Sequence, residues 1–235
     1  MSDRNWILPT HERRMSVGVT AAEWRHIDAA LSPLQPKTEW LHLDVIDGVF
    51  CPKLTFGAWL VPALPETFVL DVHIMTANPL QQAKAFVAAG AHVVTMQYEA
   101  LDNAIAVMQE LKDLNVIYRG RERPIIRGIS LCPTTNLDVL DDLLPHVEIV
   151  QLLTLDPRDG SKMEPQFFAD RLSLLNKKID RFGGKLLISV DGSMTLDIAV
   201  NSANQGANLI VSGSALFKNN QLEENLSIWR SKLDI

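Results

Sequence analysis

Trp40-Leu-His-Leu-Asp-Val-Ile-Asp-Gly48 decides how this chain is read. Residues i and i+2 of a β-strand share a face. His42 and Asp44 therefore point one way, and Leu41, Leu43 and Val45 the other. A buried strand that turns an imidazole and a carboxylate inward gives up apolar burial and takes on a desolvation cost. Such a pair binds a metal, moves protons, or forms a structural His–Asp hydrogen bond. The spacing H-x-D alone does not choose among these, because short motifs recur by chance. The rest of the chain has to supply the partners.

Short apolar runs recur along the sequence. Strands are expected over Met15–Val19, Glu39–Leu43, Phe68–Val72, Val93–Gln97, Ile125–Leu131, Glu148–Leu153, Leu186–Val190 and Asn208–Val211. Their short length and β-branched residues favour strand over helix. Between them lie helix candidates: Ala21–Leu31, Pro79–Ala89, Leu101–Leu114, Leu137–Leu144, Pro165–Phe182, Thr195–Gln205 and Leu222–Lys232. Asn78-Pro79 is a helix start signal, and Gly90 and Gly183-Gly184 are stop signals. Asn115–Pro124 is charged and is expected to be a surface loop. Most strand spacings match a βαβ unit of roughly 30 residues. Eight such units predict a (β/α)8 TIM barrel, which typically takes about 250 residues. A doubly wound open sheet is the alternative, but no Gly-rich dinucleotide fingerprint follows the first strand. No composition break divides the chain. One barrel domain over residues 1–235 is expected, with 1–14 as an N-terminal extension.

Composition bounds the partners. Net charge is −6, and no basic stretch offers a nucleic-acid footprint. No apolar run approaches the roughly 20 residues that span a bilayer. Two cysteines make no disulfide framework, and no signal peptide is apparent at the N-terminus, so a cytoplasmic setting is expected. A small anionic ligand remains compatible, because backbone dipoles can hold a phosphate whatever the net charge.

Barrel active sites lie at the C-terminal ends of the strands. His42 and Asp44 end the second strand, Asp71 and His73 the third, Gln97 and Glu99 the fourth, and Asp191 the seventh. His42, Asp44, His73 and Asp191 thus converge as metal-competent side chains. Two imidazoles and two carboxylates suit one divalent ion such as Zn, Fe, Mn or Co better than Mg or Ca. After the eighth strand, Ser212-Gly213-Ser214 reads as a turn opening a helix, a cradle for phosphate, with Gly192-Ser193 as its other half. A plain strand-to-helix turn reads equally well.

These residues carry a family resemblance. Leu41-His-Leu-Asp-Val-Ile-Asp-Gly-Val-Phe-Cys-Pro-Lys-Leu-Thr-Phe-Gly57 resembles the second-strand signature of ribulose-phosphate 3-epimerases. Leu70-Asp-Val-His-Ile-Met75, Val190-Asp-Gly192 and Gly206-Ala-Asn-Leu-Ile-Val-Ser-Gly-Ser-Ala215 are similar to three further motifs, in the same order. The resemblance runs from about Ser16 to Phe217. It implies a ribulose-phosphate-binding barrel that inverts C3 of a ketose phosphate, D-ribulose 5-phosphate to D-xylulose 5-phosphate by default. It implies that Asp44 and Asp191 double as the proton-transfer pair, through an enediolate that the metal stabilises. It also implies that Ser16 and Met75 contact substrate, that no nucleotide cofactor is needed, and that the protein is a homo-oligomer.

The match has gaps. Ile46 and Leu153 stand where the family has Met, and Gln97 where it has His. The Gly-rich sixth-strand loop is replaced by Pro157-Arg-Asp-Gly-Ser-Lys162, which makes Arg158 and Lys162 alternative phosphate ligands. Gly192-Ser193 stands for a Gly-Gly pair. A hexulose 6-phosphate substrate, or a non-catalytic sugar-phosphate binder, are the competing readings. An aldolase or decarboxylase of the related barrels lacks its Asp-x-Lys pair here.

Overall fold

The computed structural model describes residues 6, 7, 9 and 11–235; the rest of the expected extension, residues 1–5, 8 and 10, lies outside the described residues. Eight parallel strands close into a barrel: β1 (Arg14–Gly18), β2 (Glu39–Ile46), β3 (Leu70–Met75), β4 (Val93–Gln97), β7 (Ile126–Leu131), β8 (Ile149–Leu153), β9 (Leu187–Asp191) and β10 (Leu209–Ser212). β10 pairs back onto β1, with Ser16 beside Val211. The remaining two strands, β5 (Asn115–Tyr118) and β6 (Arg121–Pro124), form a separate antiparallel pair.

Alternation along each strand divides the buried residues in two. One set, including Leu41, Leu43, Val72, Ile74 and Val150, packs into the main core with the surrounding helices. The other set lines the barrel interior. Its lowest layer is apolar: Trp40, Val69, Val93, Ile126, Ile149, Leu187 and Leu209 form their own cluster, against which Trp6 and Ile7 pack. Trp6 is anchored there by its Nε1–H, which donates to the Pro124 carbonyl at 2.8 Å. Two residues further along most strands, and four along β7, the interior turns polar. Ser16, His42, Asp71, Thr95, Ser130, Gln151 and Ser189 are all buried there. Burying so many polar groups costs free energy unless they are hydrogen-bonded, and this layer is the floor of the site.

Among the described residues six α-helices surround the barrel: α1 (Ile27–Leu31), α2 (Pro79–Ala89), α3 (Ala104–Leu111), α4 (Pro165–Phe182), α5 (Leu196–Asn204) and α6 (Leu222–Leu233). The bounds of α2 and α4 are those the sequence predicts. Each opens on a Pro at the first helical position and ends on a Gly with positive φ, Gly90 at 116° and Gly183 at 72°. α4 buries Phe168, Leu172, Leu175 and Ile179, spaced four, three and four apart, on one face. Each such burial stabilises by about 1.5–3 kcal/mol relative to exposure. The buried Glu39 at the start of β2 accepts both ends of the Arg230 guanidinium at 2.9 and 2.7 Å, fastening α6 to the barrel.

Three expectations are corrected. Leu137–Leu144 is not an α-helix but two 3-10 turns, Leu137–Leu140 and Leu144–His146. Pro145 explains the break: it lacks an N–H, and its ring would clash with the carbonyl of Asp141. Ala21–Leu31 is broken too, because Ala22 and Glu23 are extended and Glu23 caps the Arg25 N–H, leaving only the short α1. Asn115–Pro124 is on the surface as expected, but it is a β-hairpin rather than an irregular loop. Arg119 and Gly120 both have positive φ, 50° and 73°, which suits the primed two-residue turn that matches strand twist. Among the described residues no helix is long and apolar enough to cross a membrane.

Candidate metal centre

Register brings the four expected side chains together. β2 and β3 pair with Asp44 beside His73, and β8 and β9 with Leu153 beside Asp191. One ligand atom from each of His42, Asp44, His73 and Asp191 lies within 4.8 Å of all the others. His42 Nε2 is 3.3 Å from Asp44 Oδ1 and 3.9 Å from Asp191 Oδ2. His73 Nδ1 is 3.5 and 3.7 Å from the same two oxygens. A tetrahedral ion with bonds of about 2.1 Å spaces its ligand atoms roughly 3.4 Å apart. The donor set and its spacing therefore fit one divalent ion.

Neighbouring groups choose which ring nitrogen each histidine offers. His42 Nδ1 sits 2.8 Å from Asp71 Oδ2, an oxygen that also accepts from the Ser16 hydroxyl at 2.7 Å. A carboxylate only accepts, so Nδ1 carries the hydrogen and Nε2 faces the site. His73 is set the other way round. Its Nε2 lies 2.8 Å from Gln97 Oε1, leaving Nδ1 toward Asp44 and Asp191. Gln151 completes the floor: its Oε1 accepts from Ser189, and its Nε2 donates to Asp191 Oδ2 at 3.3 Å.

Charge follows from this geometry. Burial alone would push His73 down, yet the Asp191 and Asp44 carboxylates outweigh it and hold its pKa at about 9. For His42 burial also pulls down, and Asp71 and Asp44 raise it well above the usual range. Asp44 responds in the opposite sense: burial would raise it, and hydrogen bonds from both imidazoles keep it far below the ordinary carboxylate value.

A cavity of about 370 Å³ opens above the four ligands. Asp44, His73 and Asp191 form its base, with Ile46, Met75 and Leu153 beside them. Gly192, Ser193, Gly213 and Ser214 line it from β9 and β10. Gly213 lies against Gly18 of β1 so closely that a Cβ there would stand 2.9 Å from the Gly18 carbonyl oxygen. Gly192 has φ +96° and Ser193 φ 41°, so this turn runs through left-handed conformations. Two residues expected to contact substrate or phosphate, Ser16 and Ser212, are not among those lining the cavity. Ser16 is buried under the site on Asp71, and Ser212 alternates away from Val211 and Gly213. No α-helix opens at Ser214: the chain makes one turn, with Phe217 N–H donating to Gly213 O, and α6 begins only at Leu222. The expected cradle therefore has backbone donors but no helix dipole behind it.

Arg158 is held by Asp156 through two hydrogen bonds of 2.9 and 2.6 Å, and neither Arg158 nor Lys162 lines the cavity. The cation that does is Lys53, which lies within the 41–57 stretch that resembles the family signature. The loop after β2 folds back to present it. Thr55 donates to Asp44 O at 2.6 Å and accepts from Ile46 N–H, while Asp47 accepts from Val49, Phe50 and Ala77.

The sequence profile of the ribulose-phosphate 3-epimerase family matches residues 14–217, nearly all of this barrel. The chain belongs to the ribulose-phosphate 3-epimerase family. A Salmonella typhimurium protein provisionally named epimerase LsrE is 41% identical over 223 residues, covering 94% of this chain and 87% of its own. The ribulose-phosphate 3-epimerase of Treponema pallidum is 34% identical over 207 residues, covering 86% and 90%. Among solved structures, 3-keto-L-gulonate-6-phosphate decarboxylase from Vibrio cholerae superposes with a TM-score of 0.66 over 95% of this chain and 98% of that one. At 14% identity that likeness shows the barrel fold alone. Family membership supports an isomerase-class carbohydrate-phosphate epimerase, and the His/Asp cluster suits the divalent metal of that class.

Proposed function

We propose that the protein inverts C3 of D-ribulose 5-phosphate to give D-xylulose 5-phosphate, by proton transfer between two carboxylates. One observation carries this reading: Asp44 and Asp191 both line the cavity while standing on β2 and β9, three strands apart around the barrel. A planar enediolate between them is open to a base on each face. One aspartate removes the C3 proton and the other delivers a proton to the opposite face; the reverse reaction exchanges their roles. A divalent ion held by His42, Asp44, His73 and Asp191 supplies Lewis-acid polarisation of the ketone when bound. Asp71 and Gln97 keep the two imidazoles oriented, and Gln151 holds Asp191. Met75 lies beside the reacting carbons, and the β9 and β10 turns at Gly192-Ser193 and Gly213-Ser214 take the phosphate. Two free, buried cysteines suit a reducing cytoplasm.

A second reading keeps the chemistry and changes the sugar to another ketose phosphate, such as a hexulose 6-phosphate. It is supported by the cavity wall, where Ile46 and Leu153 stand in place of the family's Met residues. Proton NMR of zinc-loaded protein in deuterated water, with ribulose 5-phosphate and hexulose 6-phosphates in parallel, tests both. Deuterium at C3 with inversion identifies the substrate. Absence of exchange with every ketose phosphate rejects epimerisation. Asp44→Asn and Asp191→Asn should each lower inversion by at least about 100-fold.

A further inference from the structure

Glu99 forms its hydrogen bonds with Gln97, Cys132 and Thr135 rather than with the four candidate ligands, and Gln97 in turn touches one of them. Its Oε1 accepts from the Cys132 backbone N–H at 2.9 Å and from the Thr135 hydroxyl. Its Oε2 accepts from Gln97 Nε2. With its NH₂ group committed to a carboxylate that can only accept, Gln97 must turn its oxygen to His73 Nε2, 2.8 Å away. His73 Nε2 therefore keeps its hydrogen, and Nδ1, which faces Asp44 and Asp191, is the nitrogen left to give up its proton and ligate when an ion binds. Gln151 agrees from the other side: Ser189 donates to its Oε1, so its NH₂ faces Nδ1 at 3.2 Å.

We propose that Glu99 is a positioning residue for the metal centre, acting through the Gln97 amide to select the His73 nitrogen that binds the ion.

The isosteric change Glu99→Gln separates this role from packing. The Cys132 N–H still requires an oxygen at the Oε1 position, so the new NH₂ lands where Oε2 was. It then faces Gln97, which must turn over to present its oxygen. The Gln97 NH₂ would point at His73 Nε2, which becomes an acceptor, and the ring hydrogen moves to Nδ1, the nitrogen that has to ligate. The relay is thereby inverted with no change in size. Adding Gln97→Glu restores it, because a carboxylate at position 97 accepts both from the new amide at position 99 and from His73 Nε2–H.

The test is Zn²⁺ affinity by competition with a chromophoric chelator, needing no substrate and so independent of which sugar is turned over. Loss of such an orienting partner typically weakens binding by about 10–100-fold. E99Q should show a loss in that range, and the Q97E/E99Q double variant should return to within about threefold of wild type. Nitrogen-15 histidine spectra of the zinc-loaded proteins should show the Nε2–H proton of His73 in wild type and double variant. Unchanged affinity in E99Q overturns the proposal. So does a loss in E99Q that Q97E fails to restore, since the relay requires the carboxylate at position 97 to bring the affinity back. Wild-type protein that binds no Zn²⁺ overturns the four-ligand site itself, and the relay with it.

Discussion

His42 Nδ1 and the Asp71 carboxylate are 2.8 Å apart at the polar floor of the barrel, and this contact directs His42 Nε2 at the metal centre. Asp71→Ala removes the acceptor and leaves a buried ring N–H without a partner. The unsatisfied donor costs about 1–3 kcal/mol of stability. Zinc affinity should fall by about 10–100-fold. Urea unfolding of the metal-free protein and chelator competition measure the two effects. Wild-type zinc affinity in the variant would show that Asp71 does not orient the ligand.

The same centre predicts proton release. In the metal-free site His73 titrates at about 9 and His42 is raised as well, so both rings are protonated at neutral pH. A ligating nitrogen must give up its proton, and uptake at pH 7 should release about two. The number should decline as pH rises through about 9, and apparent affinity should climb over the same range. Calorimetry in buffers of different ionisation enthalpy counts the protons; none released at pH 7 would contradict the raised values.

Gly213 tests the approach of β10 to β1. A methyl group there would meet the Gly18 carbonyl oxygen at 2.9 Å, and that oxygen is backbone that cannot swing aside. Gly213→Ala should destabilise by about 1–3 kcal/mol, the usual cost of overpacking. Because Gly213 and Ser214 line the cavity, KM for a ketose phosphate should rise while the metal affinity stays near wild type. Unaltered stability and KM would mean that the strands separate easily.

The His/Asp cluster is legible in the sequence because polar residues at period two inside apolar strands have few uses besides metal binding, proton transfer and buried hydrogen bonds. His42, Asp44, His73 and Asp191 announce themselves locally, and the barrel needs only to bring strand ends together. Pro79 with Gly90, and Pro165 with Gly183, fix two helices for equally local reasons. What stays hidden depends on tertiary closure. Gln151 reaches His73 across 78 positions of chain. Lys53 enters the cavity only because Thr55 and Asp47 fold its loop back. The hairpin turn at Arg119-Gly120 lacks the usual Asn or Asp. Ser212 belongs to β10 rather than to the turn after it, so strand alternation carries its hydroxyl away from the cavity.

His92 gives a pH-dependent stability. Burial lowers its pKa to about 4, and its Nδ1 accepts from the Leu70 N–H at 3.1 Å, which requires the neutral ring. An unfolded chain titrates near about 6.5, so between pH 6.5 and 4 the unfolded state takes up the proton first. The contribution is present above 6.5 and is lost as pH falls. Between pH 7 and pH 5 this amounts to about 2 kcal/mol. His92→Asn keeps an acceptor but cannot titrate, so its stability should fall by about 2 kcal/mol less than wild type over that interval. An equal loss of stability in wild type and H92N between pH 7 and pH 5, read from denaturant titrations, would refute the assignment.

Lys53 is the last test, and it bears on how a phosphate dianion is tolerated here. The cavity carries two carboxylates in a chain of net charge −6. The Gly192-Ser193 and Gly213-Ser214 turns offer backbone donors but no full positive charge, and Arg158 is committed to Asp156. Lys53 is thus the side-chain cation placed to offset the phosphate charge. Lys53→Met keeps much of the aliphatic stem and removes the charge. KM should rise by about tenfold, equivalent to roughly 1.4 kcal/mol, with kcat nearly unchanged, because the phosphate is held alike in ground and transition states. Inhibition by inorganic phosphate should weaken in parallel. If KM holds steady while kcat collapses, Lys53 acts on the reacting carbons instead, and the phosphate is held by the backbone turns alone.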